Sequence, residues 1–202
     1  MSDSNPHLKR RRLITALGGG MLLLRSGFGA AQTSSPLQRT ERARQWFTDT
    51  VLEDQDRQRH LFYSGLLEPR AVLINAVFVG CSSACPLLTQ QLARVRDGLG
   101  ERFGRDIWFL SITVDPLNDG PDELKKFASR QGADGPGWRF LTGSPADVEA
   151  VTQRLGLWVK DPDAHLTGLI AGHARKGRWA KLRPDGSPQA LVQQLGRFVE
   201  AT

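Results

Sequence analysis

The order of apolar segments predicts an α/β domain: a central mixed sheet flanked by helices, with a C-terminal β-hairpin and helix. Three observations carry this. Two continuous apolar runs rich in β-branched residues, 71–79 (AVLINAVFV) and 107–114 (IWFLSITV), read as buried central strands. Each is followed by a segment with helical spacing. Near the C-terminus two shorter runs, 166–171 and 178–182, flank a turn at Lys176-Gly177, and a final helical segment follows.

In chain order, residues 1–31 come first and read as an address. The basic block Lys9-Arg10-Arg11-Arg12 precedes an apolar stretch, 13–24. Small residues follow, with Gly29 and Ala31 placed for cleavage after Ala31. This is the layout of an export signal. Twelve positions that include Gly18, Gly19 and Gly20 fall short of the roughly 20 needed to span a bilayer, so an uncut membrane anchor is the lesser alternative. Arg10-Arg11-Arg12-Leu13-Ile14 resembles the twin-arginine signal, whose route carries proteins already folded. Residues 32–50 read as a linker or N-terminal extension, and 51–202 as the folded domain. Within 38–60, charge is dense and apolar positions scattered, which supports only a short leading hairpin from Val51-Leu52 and 60–63.

Past the first apolar run, Leu88, Leu92, Val95 and Leu99 share a helical face over 87–99. Residues 121–130 form a helix with Pro121 in its first turn, and 138–141 a short strand. Ser144 caps a helix that opens at Pro145 and runs through Leu155. Residues 188–199 form the last helix.

With 202 residues and 40% hydrophobic composition, the chain can build one real core. Its net charge of +6 would suit an anionic partner, but residues 1–31 carry a net +4 of it and leave +2 for the rest. The remainder shows no dense basic stripe in sequence, which argues against nucleic-acid binding.

The only two cysteines, Cys81 and Cys85, stand at the junction of the first buried strand and its helix. A helix N-terminus exposes free N–H groups and partial positive charge, which favour thiolates. Positions i and i+4 share a face, so the sulfurs can converge. Export permits a disulfide. A purely structural staple is disfavoured, because so small a ring stabilises by roughly 2 kcal/mol against about 4.7 for a 100-residue loop. A redox pair and a metal pair remain. Two thiolates with an imidazole suit copper in either oxidation state, or zinc.

Of four histidines, His7 lies in the signal and His60 reads as a solvated surface residue. His165 and His173 bracket the apolar run LTGLIAG. Strand, helix, strand, helix, hairpin and helix, with cysteines at the first strand-to-helix junction, resembles the thioredoxin plan. In that plan the loop entering the strand after the third helix faces the cysteines, which favours His165 as the third ligand over His173.

The motifs as a set resemble the SCO/SenC family of copper proteins. They are Cys81-Ser82-Ser83-Ala84-Cys85-Pro86 after a strand, then Ser111-Ile112-Thr113-Val114-Asp115-Pro116, then Asp119-Gly120-Pro121, then Leu141-Thr142-Gly143, and His165 before the hairpin. The resemblance runs in unbroken order over roughly residues 50–200. It implies a thioredoxin-like fold holding one copper ion through Cys81, Cys85 and His165. It also implies a monomer that delivers copper to, or reduces the thiols of, the copper-bearing subunit of cytochrome c oxidase or another copper enzyme. Such a protein is a periplasmic metallochaperone more than a turnover enzyme, touching the membrane only through an uncut N-terminal segment. Asp115 is the candidate for orienting a ligand from behind, with capping of its own loop as the plainer role. Three positions depart from the family pattern: Ser82 replaces a common proline, Ala164 replaces a common aspartate, and the signal replaces the usual anchor. The rivals are a metal-independent exported thiol-disulfide oxidoreductase cycling Cys81 and Cys85, and a peroxidase using one of them.

Overall fold

The computed structural model describes residues 35–162 and 167–200. Residues 1–31, read above as an export signal, and His165 lie outside them. Among the described residues, no helix is long and apolar enough to cross a membrane.

The elements are α1 (Pro36–Phe47), β1 (Val51–Asp54), β2 (Arg59–Leu61), a π-helical turn (Phe62–Leu67), β3 (Ala71–Val77), α2 (Ala84–Leu99), β4 (Ile107–Thr113), α3 (Pro121–Arg130), β5 (Trp138–Thr142), α4 (Pro145–Leu155), β6 (Leu169–His173), β7 (Arg178–Leu182) and α5 (Pro188–Glu200). They build a seven-stranded sheet in the order β2-β1-β5-β4-β3-β6-β7. β3, β4 and β5 are parallel; β6, β7, β1 and β2 join antiparallel. The expected mixed α/β sheet with its C-terminal hairpin and helix is therefore present.

β3 is central and wholly buried, which is why its sequence is an unbroken apolar run. Its side chains alternate between two cores. Ala71, Leu73 and Val77 pack with α2, α3 and α5 residues such as Leu92, Phe127 and Leu195. Val72, Ile74 and Ala76 pack on the other face with Phe47, the π-helical turn and α4. Buried polar groups tie the three parallel strands in register: Trp138 Nε1 donates to Ser111 Oγ at 2.9 Å, and Ser111 Oγ donates to Asn75 Oδ1 at 2.9 Å.

Several boundaries differ from expectation for physical reasons. α1 occupies the unassigned polar stretch; Ser35 and Gln38 form a capping box at its start. It packs through Phe47 against Phe62 and Trp179. The strand expected to reach residue 63 ends at Leu61, because Phe62, Tyr63, Leu66 and Leu67 all bury on one side of a helical turn. β6 begins at Leu169, later than expected, and continues to His173, held by pairing with Ala71.

Candidate metal centre

Parallel strands deliver their C-terminal ends, and the N-termini of the helices that follow, to one edge of the sheet. The thiols lie there. After Val77 the chain turns at once, with Cys81 N–H donating to Phe78 C=O at 3.1 Å. A Cβ at Gly80 would sit 2.6 Å from the far edge of the Phe78 ring, so a larger residue there would have to push that ring aside. α2 then begins at Ala84, and its Ncap residue, Ser83, makes no side-chain cap. The Cys81 sulfur takes that place, accepting the Cys85 N–H at 3.5 Å.

Both cysteines are free thiols; Cys85 is buried and Cys81 half-buried. Sequence reasoning expected the helix N-terminus to favour both thiolates, and the structure separates them. Desolvation pushes Cys81 up. The N–H groups of Cys85, Ser83 and Ala84, with a hydrogen bond from the Cys85 thiol, outweigh it, and Cys81 ends below its ordinary value. Burial drives Cys85 the other way, to about 12; the Phe78 backbone opposes the rise, while the charges of Cys81 and Asp119 add to it. The pair is a half-buried sulfur whose pKa is lowered, backed by a buried one whose pKa is raised.

Asp119, not Asp115, is the carboxylate behind Cys85, and sequence reasoning missed it. Asp119 Oδ2 accepts Thr113 Oγ1 at 2.7 Å and the Val79 N–H at 3.1 Å, so it clamps the end of β4 to the cysteine turn. Desolvation raises its pKa against those two hydrogen bonds, and Asp115 and Glu123 raise it further. Asp115 instead turns both carboxylate oxygens to Asn118 Nδ2, at 3.1 and 2.9 Å. Its carbonyl accepts the N–H groups of Asn118 and Asp119, so it builds the turn that carries Asp119. The available signal was a carboxylate just before a helix whose Ncap, Gly120, has no side chain to cap it.

The two described histidines are far from the thiols. His173 pairs with Ala71 at the opposite end of β3, roughly 20 Å along the strand, and desolvation with Lys176 and Arg175 lowers its pKa. His60 lies on β2, four strands from β3 in the sheet, or about 19 Å. It is not a solvated surface residue: Nε2 donates to buried Asp54 Oδ2 at 2.8 Å. Among the described residues no three Cys, His, Asp or Glu side chains gather as a metal site. The described donors are the two sulfurs, soft ligands fit for copper or zinc, and a third must come from elsewhere.

The SCO1/SenC family model matches residues 52–176. The chain is 35% identical over 78 residues to a SCO1 protein homolog of Bacillus subtilis, an alignment covering 38% of this chain and 40% of that protein. It thus spans under half the length of that relative. Two solved structures share the fold. ScoI of Bradyrhizobium japonicum with copper bound has 23% identity and a TM-score of 0.63, over 74% of this chain and 96% of that one. BsSco, described with a disulfide switch as a member of the Sco family of cytochrome c oxidase assembly proteins, has 22% identity and a TM-score of 0.64, over 77% and 94%. The central seven-stranded sheet with its flanking helices matches thioredoxin-like Sco structures.

Proposed function

The chain belongs to the SCO1/SenC family, and on that premise we propose that it is an exported copper-binding protein serving the assembly of a copper enzyme such as cytochrome c oxidase. The observation that carries the reading is the thiol pair itself. Two reduced sulfurs, hydrogen-bonded to each other, sit at the mouth of a strand-to-helix turn with their ionisation displaced in opposite directions. Two structural relatives, one with copper bound and one a member of a family of cytochrome c oxidase assembly proteins, lend support.

In this reading Cys81 and Cys85 hold copper together with the imidazole of His165. Copper is cargo, to be passed to the client. Cys81, half-buried, gives up its proton more readily than an ordinary thiol. Cys85 must release its proton on binding, and the Asp119 clamp keeps its sulfur beneath the loop. Positioning falls to Thr113 and Val79, which fix that carboxylate.

The same asymmetry favours a second reading, reduction of client thiols. The Cys81 thiolate attacks one sulfur of a client disulfide and expels the other as a client thiolate. Cys85, losing its proton, then attacks Cys81 sulfur and releases the second client thiol. Two electrons leave this dithiol for the client, and this chain ends as the Cys81–Cys85 disulfide.

Anaerobic copper titration of the reduced chain separates the readings. One copper retained per chain, with a sulfur-to-copper charge-transfer band in the Cu(II) form, is the expected result. His165→Ala is expected to lose copper affinity severely and keep thiol exchange. A wild-type chain that retains no copper overturns the first reading and leaves the second.

A further inference from the structure

We propose that the end of the domain opposite the thiols docks on the surface of a bilayer rich in anionic phospholipid. Folding gathers there cations that are scattered in sequence. Arg70 precedes β3, Arg175 and Lys176 form the β6–β7 turn, Arg178 opens β7, and Arg197 lies in the last turn of α5. Their proximity is explicit. Ala71 and Arg178 both pair with His173 on β6. Lys176 Nζ donates to Val199 C=O at 2.7 Å, and Arg178 Nη1 to Arg197 C=O at 3.2 Å. Arg70, His173 and Val199 line one small cavity of about 140 Å³, together with Pro69 and the Arg105–Asp106 pair.

Among the described residues none of these five cations is in an ion pair with a carboxylate, whereas two neighbours are neutralised: Arg105 by Asp106 and Arg102 by Glu200. Helix dipoles explain basic residues in last turns, which accounts for Arg197. Arg70, Arg175, Lys176 and Arg178 lie on loops and a strand, so the dipole gives them no role. An unpaired cluster of one sign on one end is a surface for an anionic partner.

The partner's class follows from what else is at this end. Single-stranded nucleic acid needs open aromatic faces for its bases. Phe198 is buried beneath Arg178, and the Trp108 ring carries the Arg70 guanidinium at 3.9 Å. These segments also supply none of the large exposed apolar side chains, so contact is electrostatic and does not insert. Each cation near an anionic leaflet strengthens docking about five-fold. Docked this way, the domain turns its cysteine loop away from the lipid.

The test reads exchange of backbone amides at 174–178 in the full chain bound to vesicles, which is insensitive to any insertion by residues 1–31. We expect exchange to slow on phosphatidylglycerol–phosphatidylcholine vesicles, not on phosphatidylcholine alone, and to return to the free rate near 1 M salt, where the screening length is about 3 Å. Arg175→Gln with Lys176→Gln is expected to weaken docking about 25-fold, at five-fold per cation. Arg94→Gln, an exposed charge on α2, leaves docking in place. Arg175→Gln alone, on an exposed turn residue, guards against misfolding of the double variant and should show about a five-fold loss. Equal exchange on both lipids, or full protection in the folded variants, overturns the proposal. So does equal protection by inorganic phosphate, which would mark a small-anion site, or by duplex RNA, which would mark a nucleic-acid surface.

Discussion

The two ends of the sheet handle charge in opposite ways. Where α2 and α3 begin, two ionisable groups are buried among named partners: Cys85 under the loop, and Asp119 held by Thr113 and Val79. Where the helices end, Arg175, Arg178 and Arg197 are exposed and Arg70 and Lys176 half-buried, and among the described residues none of the five pairs with a carboxylate. Burial at the first end lets one group reset the ionisation of another, because a low local dielectric magnifies each contact. At the second end the charges act chiefly through their sum. Reactive chemistry and long-range attraction are thus placed at opposite ends of one domain.

The largest effect should come from challenging the first end directly. At neutral pH, Cys81 should alkylate readily and Cys85 should resist, since a pKa of about 12 against an ordinary 9.0 lowers the thiolate fraction about a thousand-fold. Mass spectrometry of peptides after timed iodoacetamide exposure measures the ratio. Equal rates would mean that burial does not divide the pair, and the contrast between the ends would collapse.

Next comes the clamp. Asp119→Ala removes the acceptor of one buried and one part-buried donor, and it should cost about 1–3 kcal/mol of stability, read by urea melts. Asp119→Asn keeps the shape and removes the charge that helps raise Cys85. The Cys85 pKa should then fall, seen as thiolate absorbance appearing at lower pH. Asp115→Asn should do much less of both, because its carboxylate faces Asn118.

That contrast between two nearby aspartates shows where sequence stops being informative. The apolar runs of β3 and β4 announce buried strands because both faces are covered, and the cysteine junction follows from them. Which of Asp115 and Asp119 turns inward depends on a turn after β4 that periodicity does not encode. The split between Cys81 and Cys85 is likewise tertiary: Cys85 is buried by Leu88 and the core beneath, while Cys81 meets N–H groups only once α2 has started at Ala84. α1 was illegible because its stabilising contacts, Phe47 with Phe62 and Trp179, join distant segments. The basic end was illegible for the same reason. Its residues lie far apart in the chain and meet only through the pairing of β3, β6 and β7.

Copper affinity should depend on pH with a sign set by the thiols. Binding needs both sulfurs deprotonated. Above the lowered pKa of Cys81 and below about 12, only the Cys85 proton must leave, so affinity should rise about ten-fold per pH unit. Below the Cys81 pKa a second proton is released and the slope should steepen. Competition with a chelator of known affinity across pH measures this. A flat profile would show that Cys85 does not bind as a thiolate.

The smallest effect is expected from reaching across the molecule. Arg175→Gln and Lys176→Gln alter charge at the end of β6 that pairs with the start of β3, while Cys81 follows its far end. That separation is roughly 20 Å, more than two screening lengths at physiological salt, where each is about 8 Å. The Cys81 titration should therefore stay within about 0.1 pH unit of wild type at that salt. A larger shift would mean that the basic end tunes the thiols as well as any docking surface, and that the two ends are coupled through the low-dielectric sheet between them.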